Sequence, residues 1–380
     1  MKDFVKVNCI FIANVFGIGR KKSYSQIIDL KNAGLIEADL SDNGNIAAYE
    51  KLTKTVFSPQ QYKKATDIFD YCDRNDIKIT AYFDNDYPDI LKEIDIPPIV
   101  LYSKGKYPNF NETPAISIVG PRKCSEFGSK SALRLGYRFS LSGMLVVSVG
   151  ALGCDSQVHK GSLVQNGRAV MILPCGIDYN YLKENEQLRS SILKNGCLLS
   201  EYPPETPVKK YSFHLRNRLI AGISRATVIV EAGEKSGALI TAQKALSYGR
   251  TLYVIPGNPS TPEYKGSNKL LLDGAKPLID IFEVFNYYST LFPGKIDTKK
   301  PFEYKKTAAI KENPQKKKKI SKETLSKEAN MLYNYLDKHY FTIDDLSVSD
   351  LSTNEILSAL TELELEGIIE SQPGGSYKII

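Results

Sequence analysis

The sequence has no C-x-x-C pair, no H-E-x-x-H, no G-x-G-x-x-G and no apolar run near the roughly 18 residues of a membrane span. Each absence closes off a class. Six cysteines (Cys9, Cys72, Cys124, Cys154, Cys175, Cys197) lie scattered through 380 residues. That argues against a disulfide or zinc framework and predicts reduced, mostly buried thiols. Three histidines without paired ligands argue against a metal site, and no cofactor is expected. Met1-Lys2-Asp3-Phe4-Val5-Lys6 lacks the apolar core of a signal peptide, so a cytoplasmic location without membrane contact is expected.

What is present is an ordinary apolar fraction, 42%, and a net charge of +7, a mild pointer to an anionic partner. The length suggests two or three domains. The chain is organised around Ile116-Ser117-Ile118-Val119-Gly120-Pro121-Arg122, followed by Lys123 and then Ser125, an N-cap for a helix with apolar positions at Ala132, Leu133, Leu135, Phe139 and Leu141. A strand, a glycine turn and a helix start make an anion site at the carboxyl edge of a parallel sheet, with Arg122 adding a full charge. A tight turn with a solvated arginine is the alternative reading of this stretch alone.

Five more apolar runs follow: Leu145–Ser148, Ala169–Leu173, Cys197–Ser200, Thr227–Val230 and Thr251–Ile255. Helical patterns fall near 155–166, 184–195, 212–224, 236–248 and 266–273. This alternation predicts a doubly wound sheet covered on both faces, with ligands beyond the strand ends. Small residues recur there: Gly150 to Asp155, Pro174-Cys175-Gly176, Glu231 to Thr241, and Pro256-Gly257-Asn258. Between the fourth and fifth of the six runs, Lys209-Lys210-Tyr211-Ser212-Phe213-His214-Leu215-Arg216-Asn217-Arg218 interleaves cations with rings, as single-stranded nucleic acid requires. Core packing at a helix start is the alternative for Tyr211 and Phe213.

Residues 1–76 read as a helical domain. Val15-Phe16-Gly17-Ile18-Gly19-Arg20-Lys21 resembles the loop of a helix-hairpin-helix or SAM-like module, whose amides hold phosphate. A short turn between packed helices is the simpler reading. Residues 77–290 read as the doubly wound domain, expected to be Rossmann-like and DNA-binding, and 291–324 as a basic flexible linker that includes Lys316-Lys317-Lys318-Lys319. Residues 325–380 read as a winged helix, its second helix over Thr342–Leu346 and its third carrying Ile356, Leu357, Leu360, Leu363 and Leu365. That third helix bears Glu355, Glu362, Glu364 and Glu366 and no Lys or Arg, which opposes duplex reading and suggests a protein partner or a regulatory role.

Several segments in order resemble the DprA/Smf DNA-processing family: Tyr87-Pro88, Pro98–Tyr102, Ile118–Arg122, Gly153-Cys154-Asp155 with His159, Leu199–Tyr202, Arg216–Gly222, Lys235–Ala242 and Pro256-Gly257. The resemblance implies an extended Rossmann-like fold that binds single-stranded DNA, protects incoming strands during natural transformation and loads the RecA recombinase, usually as a homodimer; separately, no enzyme activity is expected. By position it makes Arg122 the phosphate-binding arginine and sets Lys210 and Phe213 beside the nucleotide pocket. The candidate DNA contacts are Gly120, Arg122, Lys123, Gly153, Asp155, Lys210, Phe213, Arg216, Asn217, Arg218, Lys235, Ser236, Gly237, Thr241 and Gly257.

The sequence also departs from that family. Pro121 stands where Ser or Thr is usual, Val149 where glycine is common and Leu152 where many members have arginine. Lys160 or Arg168 are candidates to replace the lost charge. Two other readings stay open. One is a sensor derived from the family, for example in phage defence. The other is a phosphoribohydrolase-like enzyme that cleaves nucleotides, but residues 232–241 lack its P-G-G-x-G-T-x-x-E segment.

Overall fold

The computed structural model of the chain describes residues 3–302, 325–336, 340–342, 346, 351–365, 368–372 and 376–379. It divides into two units, Met1–Tyr304 and Lys305–Ile380.

The first unit opens with four helices: α1 (Phe4–Phe16), α2 (Lys21–Asn32), α3 (Asn43–Thr53) and α4 (Pro59–Arg74). The starts of α1 and α4 are capped locally. The Asp3 carboxylate accepts from the Lys6 amide at 3.2 Å, and Ser58 with Gln61 closes a capping box ahead of Pro59. Phe11 lies between Phe57 and Tyr62, with ring centroids 5.0 and 5.6 Å away. These helices share one core with the sheet, since Val7, Ile10 and Ile27 pack in the same cluster as Ile77, Val100 and Met171.

The sheet has nine strands in the order β1 (Ile77–Ala81), β2 (Val100–Gly105), β6 (Cys197–Ser200), β5 (Ala169–Ile172), β4 (Leu145–Val149), β3 (Ala115–Val119), β7 (Ala226–Ile229), β8 (Thr251–Val254) and β9 (Lys276–Pro277). A short helix α5 (Asp89–Lys92) joins β1 to β2. β1 and β2 run antiparallel to their neighbours, and β6 through β9 form a parallel block. The crossovers are α6 (Glu126–Leu141), α7 (Cys154–Ser162), α8 (Glu186–Asn195), α9 (Ser212–Gly222), α10 (Ala238–Ser247) and α11 (Lys265–Leu272), and α12 (Ile281–Leu291) closes the unit. β3 through β5 and β7 are buried along their whole length, which accounts for their unbroken apolar sequences. β9, only two residues long, leaves no periodic signal.

β3 pairs with β4 on one side, where Ile116 faces Val146, and with β7 on the other, where Ile116 faces Ala226. The chain winds outward from β3 in both directions. The tip of β3 is therefore the topological switch point, where the following loops diverge and leave a crevice.

In the second unit, α13 (Lys327–Tyr335) and α14 (Thr353–Leu365) pack beside a sheet of β10 (Tyr340–Thr342), β12 (Ser376–Ile379) and β11 (Ile369–Gln372). Ile356, Ala359, Leu360 and Leu363 bury one face of α14. Thr342, expected to open the second helix, is the last residue of strand β10. It is held there by pairing with Ser376 and by the stack of Phe341 on Tyr377 at 5.7 Å. Apart from Leu346, the rest of that segment lies outside the described residues, as do Glu366 and the lysine run 316–319. Two of the α14 carboxylates serve the fold: Glu355 accepts from the Ser352 amide at 2.8 Å, and Glu362 from the Ser326 amide at 2.7 Å.

Candidate nucleic-acid interface

At the switch point the turn Gly120-Pro121-Arg122-Lys123 stands against the first turn of α7, the first turn of α9 and the loop from Gly233 into α10. Together they enclose a cleft of about 520 Å³. The cleft gathers eleven of the fifteen candidates: Gly120, Arg122, Lys123, Asp155, Phe213, Arg216, Asn217, Lys235, Ser236, Gly237 and Thr241. Residues 122 and 213 are far apart in sequence, yet the Arg122 guanidinium sits 5.1 Å from the centroid of the Phe213 ring. The contact is a cation–π pair, which sets a cation and a ring face side by side in the cleft.

The floor is charged but paired. Arg216 is buried and donates from Nη1 to the Ile172 carbonyl at the tip of β5, 2.6 Å away. Burial pulls its guanidinium down to about 10, with the nearby Asp155 carboxylate opposing. Asp155 accepts from the Ser148 hydroxyl at 3.2 Å and from the Gly120 amide at 3.4 Å. Burial pushes its carboxyl up to about 8, against the pull of Arg216, those two hydrogen bonds and Arg122. Burial thus favours the neutral acid here, and the cations Arg122, Lys123, Arg216 and Lys235 face Glu263 as the other acidic residue among the cleft residues. Asn217 ties the floor to the far wall, accepting from Arg216 Nε at 3.2 Å and donating to the Gly237 carbonyl at 3.5 Å.

Four candidates stand outside the cleft lining. Lys210 is exposed on the turn that feeds α9, three residues before Phe213. Gly153 lies beneath the Arg122 turn; its φ of +81° and the Arg122 carbonyl against it leave no room for a side chain. The expectation for Arg218 is corrected: its side chain is 3% exposed, paired with buried Glu201 and bonded to the Ile96 carbonyl, so it supports the fold from inside. Gly257 is corrected likewise. It packs on the Tyr264 ring, and Asn268 bonds both its amide and its carbonyl, at 3.2 and 3.0 Å.

Two further expectations change, and at the N-terminal hairpin the simpler alternative stands. The N-terminus of α6, read as the anion site, is already filled by the protein's own carboxylate. The Ser125 amide and hydroxyl donate to Glu231 at 2.7 and 2.6 Å, and a β-carbon at Gly128 would strike that carboxylate. The cations at this turn that remain beside the cleft are Arg122 and Lys123. Gly19 of the hairpin abuts Leu215 and the buried Arg218, a turn packed on α9, so the simpler reading of that turn holds. Lys160 lines a separate depression with Leu163 and Asn166, and Arg168 immediately precedes β5, at the sheet edge opposite the cleft. Lys235, not they, brings charge to the cleft.

Sequence reasoning missed Tyr181, whose ring lies 6.0 Å from that of Phe213. It sits in a loop without periodicity, and only the fold brings it there. It also missed His159 as a core residue, bonded to the Val149 carbonyl at 3.1 Å and pulled down to about 4 by burial.

The family profile described as DNA recombination-mediator protein A matches residues 78–289, and the DprA winged helix domain matches 316–375. The chain belongs to the DprA family. The DprA protein of Bacillus subtilis is 37% identical over 199 residues, 52% of this chain and 67% of that protein. Protein Smf of Synechocystis is 38% identical over 199 residues, and the match spans only 50% of that protein. The X-ray structure of DprA from Streptococcus pneumoniae matches with a TM-score of 0.61 at 25% identity, covering 75% of this chain and 98% of that one. DNA processing protein A of Helicobacter pylori, whose structure describes its single-stranded DNA binding mode, matches with a TM-score of 0.51 at 28% identity, over 56% of this chain and 96% of that one. This DprA-family chain thus has a mostly parallel, Rossmann-like sheet and a winged-helix match. No helix among its described residues is long and apolar enough to cross a membrane.

Proposed function

We propose that this chain binds single-stranded DNA in the cleft at the tip of β3, protects incoming strands during natural transformation, and as a homodimer loads the RecA recombinase onto them. The observation that carries the reading is Arg122 seated on the Phe213 ring inside a cationic cleft. Phosphate is held by charge and bases by ring faces, a combination that tolerates any sequence. Gly120, Lys123, Gly153, Lys210, Lys235, Ser236, Gly237 and Thr241 form the surround of that contact. The winged helix, with its acidic α14, takes a protein partner.

A gel shift with single- and double-stranded DNA of equal length tests the core of the reading. Single strands are expected to bind tighter, and equal or tighter duplex binding would refute it. A chain ending at Tyr304, where the first unit ends, should keep that preference and lose only salt-sensitive affinity. RecA filament growth on DNA, followed with and without this protein, tests the loading step.

Asp155 gives the cleft a pH dependence. As pH rises through about 8 the carboxyl ionises beside bound phosphate, so affinity should fall between about pH 7 and about pH 9. Its effect on stability has the same sign. The folded carboxyl holds its proton more tightly than the unfolded chain does, so its contribution declines from 3.8, its ordinary value, up to about 8. Asp155→Asn should flatten both profiles in anisotropy titrations and urea melts. A parent whose affinity is level across that range speaks against the assignment.

A further inference from the structure

A second depression, about 730 Å³, lies between the α1–α2 hairpin, α4 and the segment Tyr202–Tyr211. The first turn of α9 separates it from the cleft: Phe213, Arg216 and Asn217 face the cleft, while Tyr211 and Leu215 face this groove. The partition is thus one helix thick, roughly 10–12 Å with its side chains.

The groove has the same chemistry as the cleft. Arg20, Lys64, Arg74 and Lys209 line it, against the two carboxylates of Asp67 and Glu205. Tyr211 is 53% exposed and, among the described residues, has no ring stacked on it. Tyr71 offers a second ring, held in place by its hydroxyl bond to Asp178 at 3.1 Å. An exposed ring among cations offers a stacking face beside phosphate ligands, the pairing that single strands use.

We propose that this groove is a second station for the same single strand, which leaves the cleft over the Lys209–Phe213 turn and continues along the N-terminal helices. The hairpin then touches DNA through the Arg20 side chain. This inference rests on the cleft being a single-strand site.

Anisotropy titrations of the full chain with oligothymidylates of about 6 and about 20 nucleotides separate the two stations. The parent should gain at least tenfold or so from the longer strand, since only that strand reaches both. Lys64→Ala/Arg74→Ala should bind the short strand like the parent and lose most of the gain, with the salt slope for the long strand flatter by roughly 0.7 per contact. Tyr211→Ala should cost the long strand about fivefold or more without changing its slope. Long-strand binding like the parent in both variants overturns the groove, and so does equal loss on short and long strands. If the parent binds the short strand and Arg122→Ala does not, the cleft stands whatever the groove does. If the parent binds neither strand, the cleft reading itself fails and the groove with it.

Discussion

Arg218→Ala is expected to cost about 3–5 kcal/mol of folding stability, the largest single effect in the first unit. Glu201 and Arg218 are 5% and 3% exposed, and the guanidinium also serves the Ile96 carbonyl. Removing it leaves a buried carboxylate without its cation, and the Gly19 turn loses the group it packs on. Burial already pushes the Glu201 carboxyl above its ordinary value, and Arg218 is the main force opposing that push. Without Arg218 the folded state prefers the protonated acid still more strongly than the unfolded chain does. The raised carboxyl contributes most below its ordinary pKa, and that contribution is lost as pH rises through the folded value. The deficit of the variant should therefore be smaller near pH 5 than near pH 8. Urea melts at the two values check this. A loss below about 1 kcal/mol, or one independent of pH, would mean that water reaches the pair. Glu201→Gln/Arg218→Met should recover much of the stability, because an apolar and amide replacement leaves no unpaired charge.

The second large effect is on binding. Arg122→Ala should lower affinity for single strands and flatten the log–log salt dependence by roughly 0.7, the loss of one phosphate contact. Phe213→Ala should weaken binding by about 1–3 kcal/mol and leave the slope nearly unchanged, because stacking releases no counterions. The two residues touch, so their effects should not add. The ring fixes the guanidinium 5.1 Å from its centroid, and losing either partner degrades the other. The double variant should fall short of the summed losses by about 0.5 kcal/mol or more. Additive effects would place the two groups in separate contacts. Unfolding of Phe213→Ala, with full affinity in the folded fraction, would assign the half-buried ring to the core beside Tyr181.

The local pattern of residues was enough for the parallel strands and their covering helices. Near-continuous apolar runs such as Ile116–Val119 and Thr227–Val230 allow only a sheet covered on both faces, and the intervening 3.6-residue patterns set the helices. The apolar face of α14 was legible for the same reason. Pattern is a property of neighbours along the chain, so it reaches no further than one element. That β7 lies against β3 is a tertiary fact, and with it comes the contact of Arg122 with Phe213. The filling of the α6 N-terminus is another, since Ser125 and Glu231 are 106 residues apart. Arg216 and Arg218 look equivalent in sequence, two cations on one helix. Their fates differ because Arg216 points to the β5 tip under the cleft, while Arg218 meets Glu201 in the interior. The sequence determined which segments could form a shelf of strand tips. Only packing decided which charges on that shelf are neutralised from within and which remain for a ligand, because a charge is spent or left over according to what is beside it in space.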